Sequence, residues 1–134
     1  MYCTEATRDL CEILLPDSGH LQERDAEFAN RHGYAKHKLA RPLYTAADAE
    51  ASLKLLRPVP FDAVQKLGDG LTVRFQRAGH ILGAASVWLE EGGTSLLFSG
   101  DLGRPSDPVM LDPAIAEPAD YLVSVSKRKK AHKI

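Results

Sequence analysis

Ala78-Gly79-His80-Ile81-Leu82-Gly83-Ala84 follows the run Leu71-Thr72-Val73-Arg74-Phe75-Gln76, and Ser99-Gly100-Asp101-Leu102-Gly103-Arg104 follows the runs Ala85 to Leu89 and Ser95 to Phe98. Leu71, Val73 and Phe75 alternate with Thr72, Arg74 and Gln76, the period of a half-buried strand. Gly92-Gly93 between the two later runs predicts a hairpin turn. Each glycine-flanked segment thus places one possible metal ligand, His80 or Asp101, at the end of a strand. Strand ends hold side chains rigidly, and glycine lets a loop approach a bound group closely. Imidazole nitrogen and carboxylate oxygen are both good zinc ligands. A carboxylate can also bridge two metals, which lowers the pKa of a shared water and makes it a nucleophile. Taken singly, each residue has a plainer reading. His80 reads as a hydrogen-bonded structural residue, and Asp101 as a turn residue making an Asx-type bond.

Outward from these motifs, Ala63 to Leu67 is a short strand candidate and Gly68-Asp69-Gly70 a turn. Asp120-Tyr121-Leu122-Val123 begins a further strand after a loop rich in Pro and Asp. Toward the N-terminus, Tyr2-Cys3-Thr4 reads as the end of a strand, with Thr4 capping a helix that runs to about Leu15. Pro16 is expected to stop that helix. Ser18 then opens a second, surface helix from Leu21 to His32, closed by Gly33. Residues 34–44 read as an exposed loop. Thr45 and Asp48 form a capping box with Asp in place of Glu, starting a helix with Ala49, Leu53 and Leu56 on one face. Pro58 and Pro60 end it.

The chain has 134 residues, is 44% hydrophobic and 26% charged, and carries a net charge of −1. That suits one globular domain and argues against long disorder or a strongly basic nucleic-acid binder. A locally basic cleft remains compatible with an RNA substrate. No run of apolar residues reaches membrane-spanning length, and Met1 to Glu5 lacks a signal-peptide pattern. Cys3 and Cys11 lack metal-site spacing and read as small core residues, kept reduced in a cytoplasmic setting. Ser126 to Ile134 is strongly basic, without a core pattern, and reads as a solvated tail rather than an RNA-binding one.

Together, Gly79-His80 in a GHxxG setting, the hairpin, and Ser99-Gly100-Asp101 resemble the later metal motifs of the metallo-β-lactamase fold. Tyr2-Cys3-Thr4-Glu5-Ala6-Thr7, Ser18-Gly19-His20-Leu21-Gln22-Glu23 and Leu43-Tyr44-Thr45-Ala46 resemble its β-CASP branch of RNA nucleases, which includes the nuclease subunit of the cleavage and polyadenylation machinery. The resemblance covers residues 1–123 and implies an α/β fold, a partial αββα sandwich with a mixed sheet and flanking helices. Residues 124–134 are then a divergent basic tail. It further implies a zinc-dependent hydrolase that cleaves RNA phosphodiesters with a water activated by two zinc ions. In it, His80 would be a ligand of one zinc and Asp101 would bridge the two. His20 matches no metal motif and reads as surface or local structure.

This sequence departs from the family pattern in ways that bear on activity. The HxHxDH motif, which supplies most ligands and the carboxylate that handles the water proton, is absent. Val125 stands where the family has an acidic residue. His132 lies in the divergent tail and cannot be assigned to the family's C-terminal histidines. The chain therefore reads as an internal fragment, with no catalytic residue assigned, weak or absent zinc binding, and no activity alone. Uncovered sheet surface predicts marginal stability or self-association. Two other readings stand beside this one: a non-catalytic module binding RNA or protein, and a different metallo-β-lactamase-fold hydrolase.

Overall fold

The computed structural model describes residues 1–33, 35–37 and 39–124. The chain divides into two compact units, Met1–Pro58 and Val59–Ile134. The basic tail, with Val125 and His132, lies outside the described residues.

In the first unit Thr4, in extended conformation, accepts the Thr7 amide on its side-chain oxygen at 3.2 Å. That satisfies one of the orphan donors of a helix start. The helix it caps, α1, is continuous over Glu5–His32, with Pro16 inside it. The expected break at Pro16 and fresh start at Ser18 are therefore corrected. Proline removes one helical donor and crowds the preceding turn, at a cost of about 3 kcal/mol. Packing of the helix's second half against α2 (Ala46–Leu53) offsets that cost. Gly19 sits at this contact: a Cβ there would lie 2.6 Å from the Ala46 Cα and amide nitrogen. Ser18 caps nothing; its hydroxyl meets the Tyr44 hydroxyl at 2.5 Å. Gly33 ends α1 in the left-handed region (φ 71°), its N–H donating to the Ala29 carbonyl.

The Thr45–Asp48 capping box is present in both directions. Asp48 Oδ2 accepts the Thr45 amide at 2.9 Å, and Thr45 Oγ accepts the Asp48 amide at 3.1 Å. The Thr45 N–H and then its hydroxyl hold the Asp48 carboxyl below its ordinary range. α2 stops short of Leu56, because the Leu55 and Leu56 amides bond to the Ser52 and Leu53 carbonyls in a tightening turn. The chain then enters a short strand, β2 (Arg57–Pro58), which pairs in parallel with β1 (Tyr2–Cys3). Cys3 is buried, and burial raises its thiol pKa, as does nearby Cys11. A thiol in that state is a core atom rather than a nucleophile.

The second unit is a five-stranded sheet in the order β3 (Gln65–Gly68), β4 (Leu71–Arg77), β5 (Ala85–Glu91), β6 (Thr94–Phe98) and β7 (Tyr121–Val123). β3 to β6 run antiparallel and β7 joins β6 in parallel, so the sheet is mixed and the chain α/β, as expected. β3 begins later than its sequence signal, because Asp62 is still turning (φ 63°) and donates its amide to the Phe75 carbonyl. Val73 and Phe75 are buried on one face as the alternation implies. The reading of β4 as half-buried fails, however, at Gln76, which is also buried. The other face, with Gln76 beside Ser86 and Arg74 beside Trp88, is covered by the loop before β7.

That loop is fastened to the sheet at several points. The Arg74 guanidinium donates two hydrogen bonds to the Glu117 carboxylate, at 2.8 and 2.9 Å, while stacking over Trp88 at 5.3 Å. The Ala114 amide donates to the Arg77 carbonyl, and Arg77 Nε to the Asp112 carbonyl. Asp120 then accepts both the amide and the hydroxyl of Ser95 at 2.7 Å, which sets the register of β7. Arg74 depresses the Glu117 carboxyl from its ordinary 4.5, and the Ser95 amide depresses Asp120 from 3.8.

Two predictions follow from these contacts. Gly19→Ala drives a methyl into the Ala46 backbone and should lower stability to urea by about 2 kcal/mol, in the range of overpacked contacts; a loss below about 0.5 kcal/mol would contradict the close approach. Carboxyls with depressed folded pKa values give stability that is complete above their unfolded values and lost as pH falls. The urea midpoint should therefore be flat near neutrality and drop below about pH 4.5. Glu117→Gln should flatten the upper part of that drop.

Candidate metal centre

β4 runs into the loop that carries His80. The Ala78 amide donates to the Ala84 carbonyl and the Ala84 amide to Ile81, which closes the loop on itself before β5 begins. β6 runs into the loop that carries Asp101, where Gly100 takes a left-handed φ of 57°. The buried Ser86 hydroxyl donates to the Ser99 carbonyl at 2.8 Å and anchors that loop to the sheet.

The two loops are then locked to each other by glycine. Gly103 lies directly on the Gly79–His80 peptide, so that a Cβ on Gly103 would fall 1.8 Å from the Gly79 carbonyl oxygen. The Gly103 N–H donates to the Ala78 carbonyl at 2.8 Å. Gly79 in turn adopts φ 65°, and a Cβ there would meet the Leu111 carbonyl at 2.7 Å. No other residue tolerates both the conformation and the contact at Gly79. The sequence marks these glycines as loop-formers; nothing in it marks Gly103 and Gly79 as mutual partners.

The consequence is that His80 Nε2 and Asp101 Oδ2 stand 3.8 Å apart, with both side chains partly exposed (39% and 46%). The separation is too long for a hydrogen bond. It does lie within the reach of two ligands on one ion, since metal–ligand distances of about 2.0–2.2 Å allow donor atoms to sit up to roughly 4 Å apart. The structure thus brings the two predicted ligands to within 3.8 Å of each other. Among the described residues no group of three His, Cys, Asp or Glu is placed to hold a metal. The pair therefore fits zinc as part of a coordination sphere, not as a whole one. His20 lies in the first unit on α1, exposed and 3.5 Å from Glu23, and has the local role its sequence context suggests.

Gly103→Ala should cost about 3 kcal/mol in urea denaturation, at the upper end for overpacking. It should also raise the hydrogen-exchange rate of the residue 103 amide, which loses its Ala78 acceptor. A variant as stable and as protected as the parent would show that the two loops are not locked through this glycine.

No protein-family model matches the chain. Individual proteins do. The chain is 31% identical over 124 residues, 92% of its length, to ribonuclease TTHA0252 of Thermus thermophilus. It is 40% identical over 67 residues to cleavage and polyadenylation specificity factor 73 of Drosophila melanogaster, covering 48% of this chain and 9% of that protein. It is 26% identical over 104 residues, 78% of its length, to an RNase J-like protein of Methanocaldococcus jannaschii. The chain spans 25% of the Thermus relative and 20% of the archaeal one. Over the segment shared with these relatives, the chain belongs to the metallo-β-lactamase-fold RNA-processing nucleases.

Proposed function

We propose that the chain is part of a zinc-dependent RNA hydrolase of the β-CASP branch and that it does not cleave RNA by itself. The observation that carries this reading is the convergence of His80 and Asp101 at 3.8 Å on two interlocked glycine loops. Relatives named as ribonucleases supply the substrate class. Residues 1–123 would form the partial domain of that fold, and residues 124–134 an appended tail.

A pair of zinc ions supplies, when bound, the charge that makes a water nucleophilic at neutral pH and that stabilises a phosphodiester under attack. In this reading His80 would be a ligand of one ion and Asp101 would be shared by the two. The chain's own part is orientation. The Gly103–Gly79 contact fixes the two donors, and the Ser86–Ser99 bond holds the Asp101 loop to the sheet. Two donors leave most of a coordination sphere to water, so tight zinc binding is not expected. No HxHxDH motif occurs in the sequence to supply the remaining ligands and a general base.

The same reading places the chain in the cytoplasm, where its two unbridged cysteines stay reduced. Among the described residues, no helix is long and apolar enough to cross a membrane. It also includes self-association: edge strand β7 carries Tyr121, Leu122 and Val123, each at least half exposed, on a surface that can pair with another copy.

Purified chain incubated with single-stranded RNA and excess zinc should give no specific cleavage. Chelator-sensitive cleavage that His80→Ala abolishes would contradict the claim that the chain alone is inactive.

A further inference from the structure

We propose that the cleft beside Asp101 is a nucleobase site and that Gln76 reads the edge of the base. The proposal rests on the reading of the chain as part of an RNA nuclease. The cleft lies wholly within the second unit and encloses about 540 Å³, inside the range of small-ligand sites. Gln76, Ser86, Leu97 and Leu122 line it from the sheet, where the strand register sets Gln76 beside Ser86 and Leu97 beside Leu122. Pro113 and Ala116 of the covering loop line it as well.

Gln76 is the unexplained residue here. It is only 5% exposed and it lines the cleft; because no buried side-chain nitrogen or oxygen among the described residues lacks a partner, its carboxamide is reached from the cleft rather than sealed in the core. An amide reached only through the cleft keeps a donor and an acceptor that a ligand lodged there can engage. The neighbouring hydroxyls are already engaged as donors: Ser86 to the Ser99 carbonyl, and Ser99 to the Gly100 carbonyl. The carboxamide therefore offers the cleft a donor and an acceptor side by side.

The walls decide what kind of molecule matches that pair. They are mostly apolar, which favours a flat, weakly polar ring. Among the described residues they include the Asp101 carboxylate and the Arg74-paired Glu117 and no Lys or Arg, which disfavours an anion inside. A nucleobase meets both conditions, and a glutamine amide pairs in two-point fashion with a base edge such as that of adenine. Unpaired bases of single-stranded RNA present those edges to protein. Because Asp101 also lines the cleft, a base held here neighbours the proposed metal centre while its phosphates stay outside.

Adenosine, which carries no phosphate, is the probe. Titrated into nitrogen-15-labelled full chain, it should shift the Gln76 carboxamide signals saturably. Gln76→Leu, close in size and apolar, should weaken binding about tenfold, as loss of a two-point base contact implies. Ala116→Trp, at an exposed loop position, should plug the cleft and abolish binding with the thermal midpoint unchanged. Absence of adenosine binding, or equal binding to Gln76→Leu, overturns the proposal and leaves the nuclease reading standing on His80 and Asp101. Gln76-dependent adenosine binding that a single-stranded oligoadenylate fails to displace upholds the base site and counts against RNA as the substrate.

Discussion

The contact of Gly103 with the Gly79–His80 peptide is the constraint on which the candidate centre depends. Backbone pressed on backbone at that distance leaves no room for any side chain at Gly103. The loops it joins leave different strands, and a second close approach, of Gly100 to the Ala85 carbonyl, lies near the same place. Once joined, the loops bring His80 Nε2 and Asp101 Oδ2 to 3.8 Å. Catalytic geometry is commonly held this way, with the reacting groups positioned by packing beneath them rather than by their own attraction. The partial exposure of both side chains agrees with that division of labour.

The sheet beneath is made rigid from two sides. Val73 and Phe75 bury one face. The other is closed by a loop without regular structure that Arg74 grips through Glu117 and Trp88. A two-point guanidinium–carboxylate pair fixes both distance and angle, and stacking on an indole face adds to it. With Glu117 largely in solvent, this clasp acts more through geometry than through energy. Its effect is to roof a cleft next to Asp101 and to leave Gln76 buried beneath the roof.

Much of the fold was legible in the sequence, and the parts that were not share a physical reason. The period-two runs gave β4, β5 and β6 and their hairpin, because alternation and a Gly-Gly turn are local signals. Thr4, Gly33 and the Thr45–Asp48 box were also legible, since each cap lies within a few residues of what it satisfies. Pro16 misled, because its local cost is outweighed by contacts that Gly19 makes with residues far along the chain. The alternation puts Gln76 on the polar side of a half-buried strand and does not reveal its burial, because the loop that covers it arrives from residues 112–119, which carry no periodic pattern. For the candidate centre, the identities of His80 and Asp101 came from motif resemblance. Their separation and the glycine lock beneath them depend on three-dimensional packing alone.

The claim that His80 and Asp101 form one shared donor site is tested most directly by titrating zinc into the chain. The titration is followed by NMR at the His80 ring and the Asp101 carboxylate. The account predicts that both signals move together along one weak, saturable isotherm, and that His80→Ala removes the response at Asp101. Two separate isotherms, or zinc that leaves both signals unmoved, would contradict it.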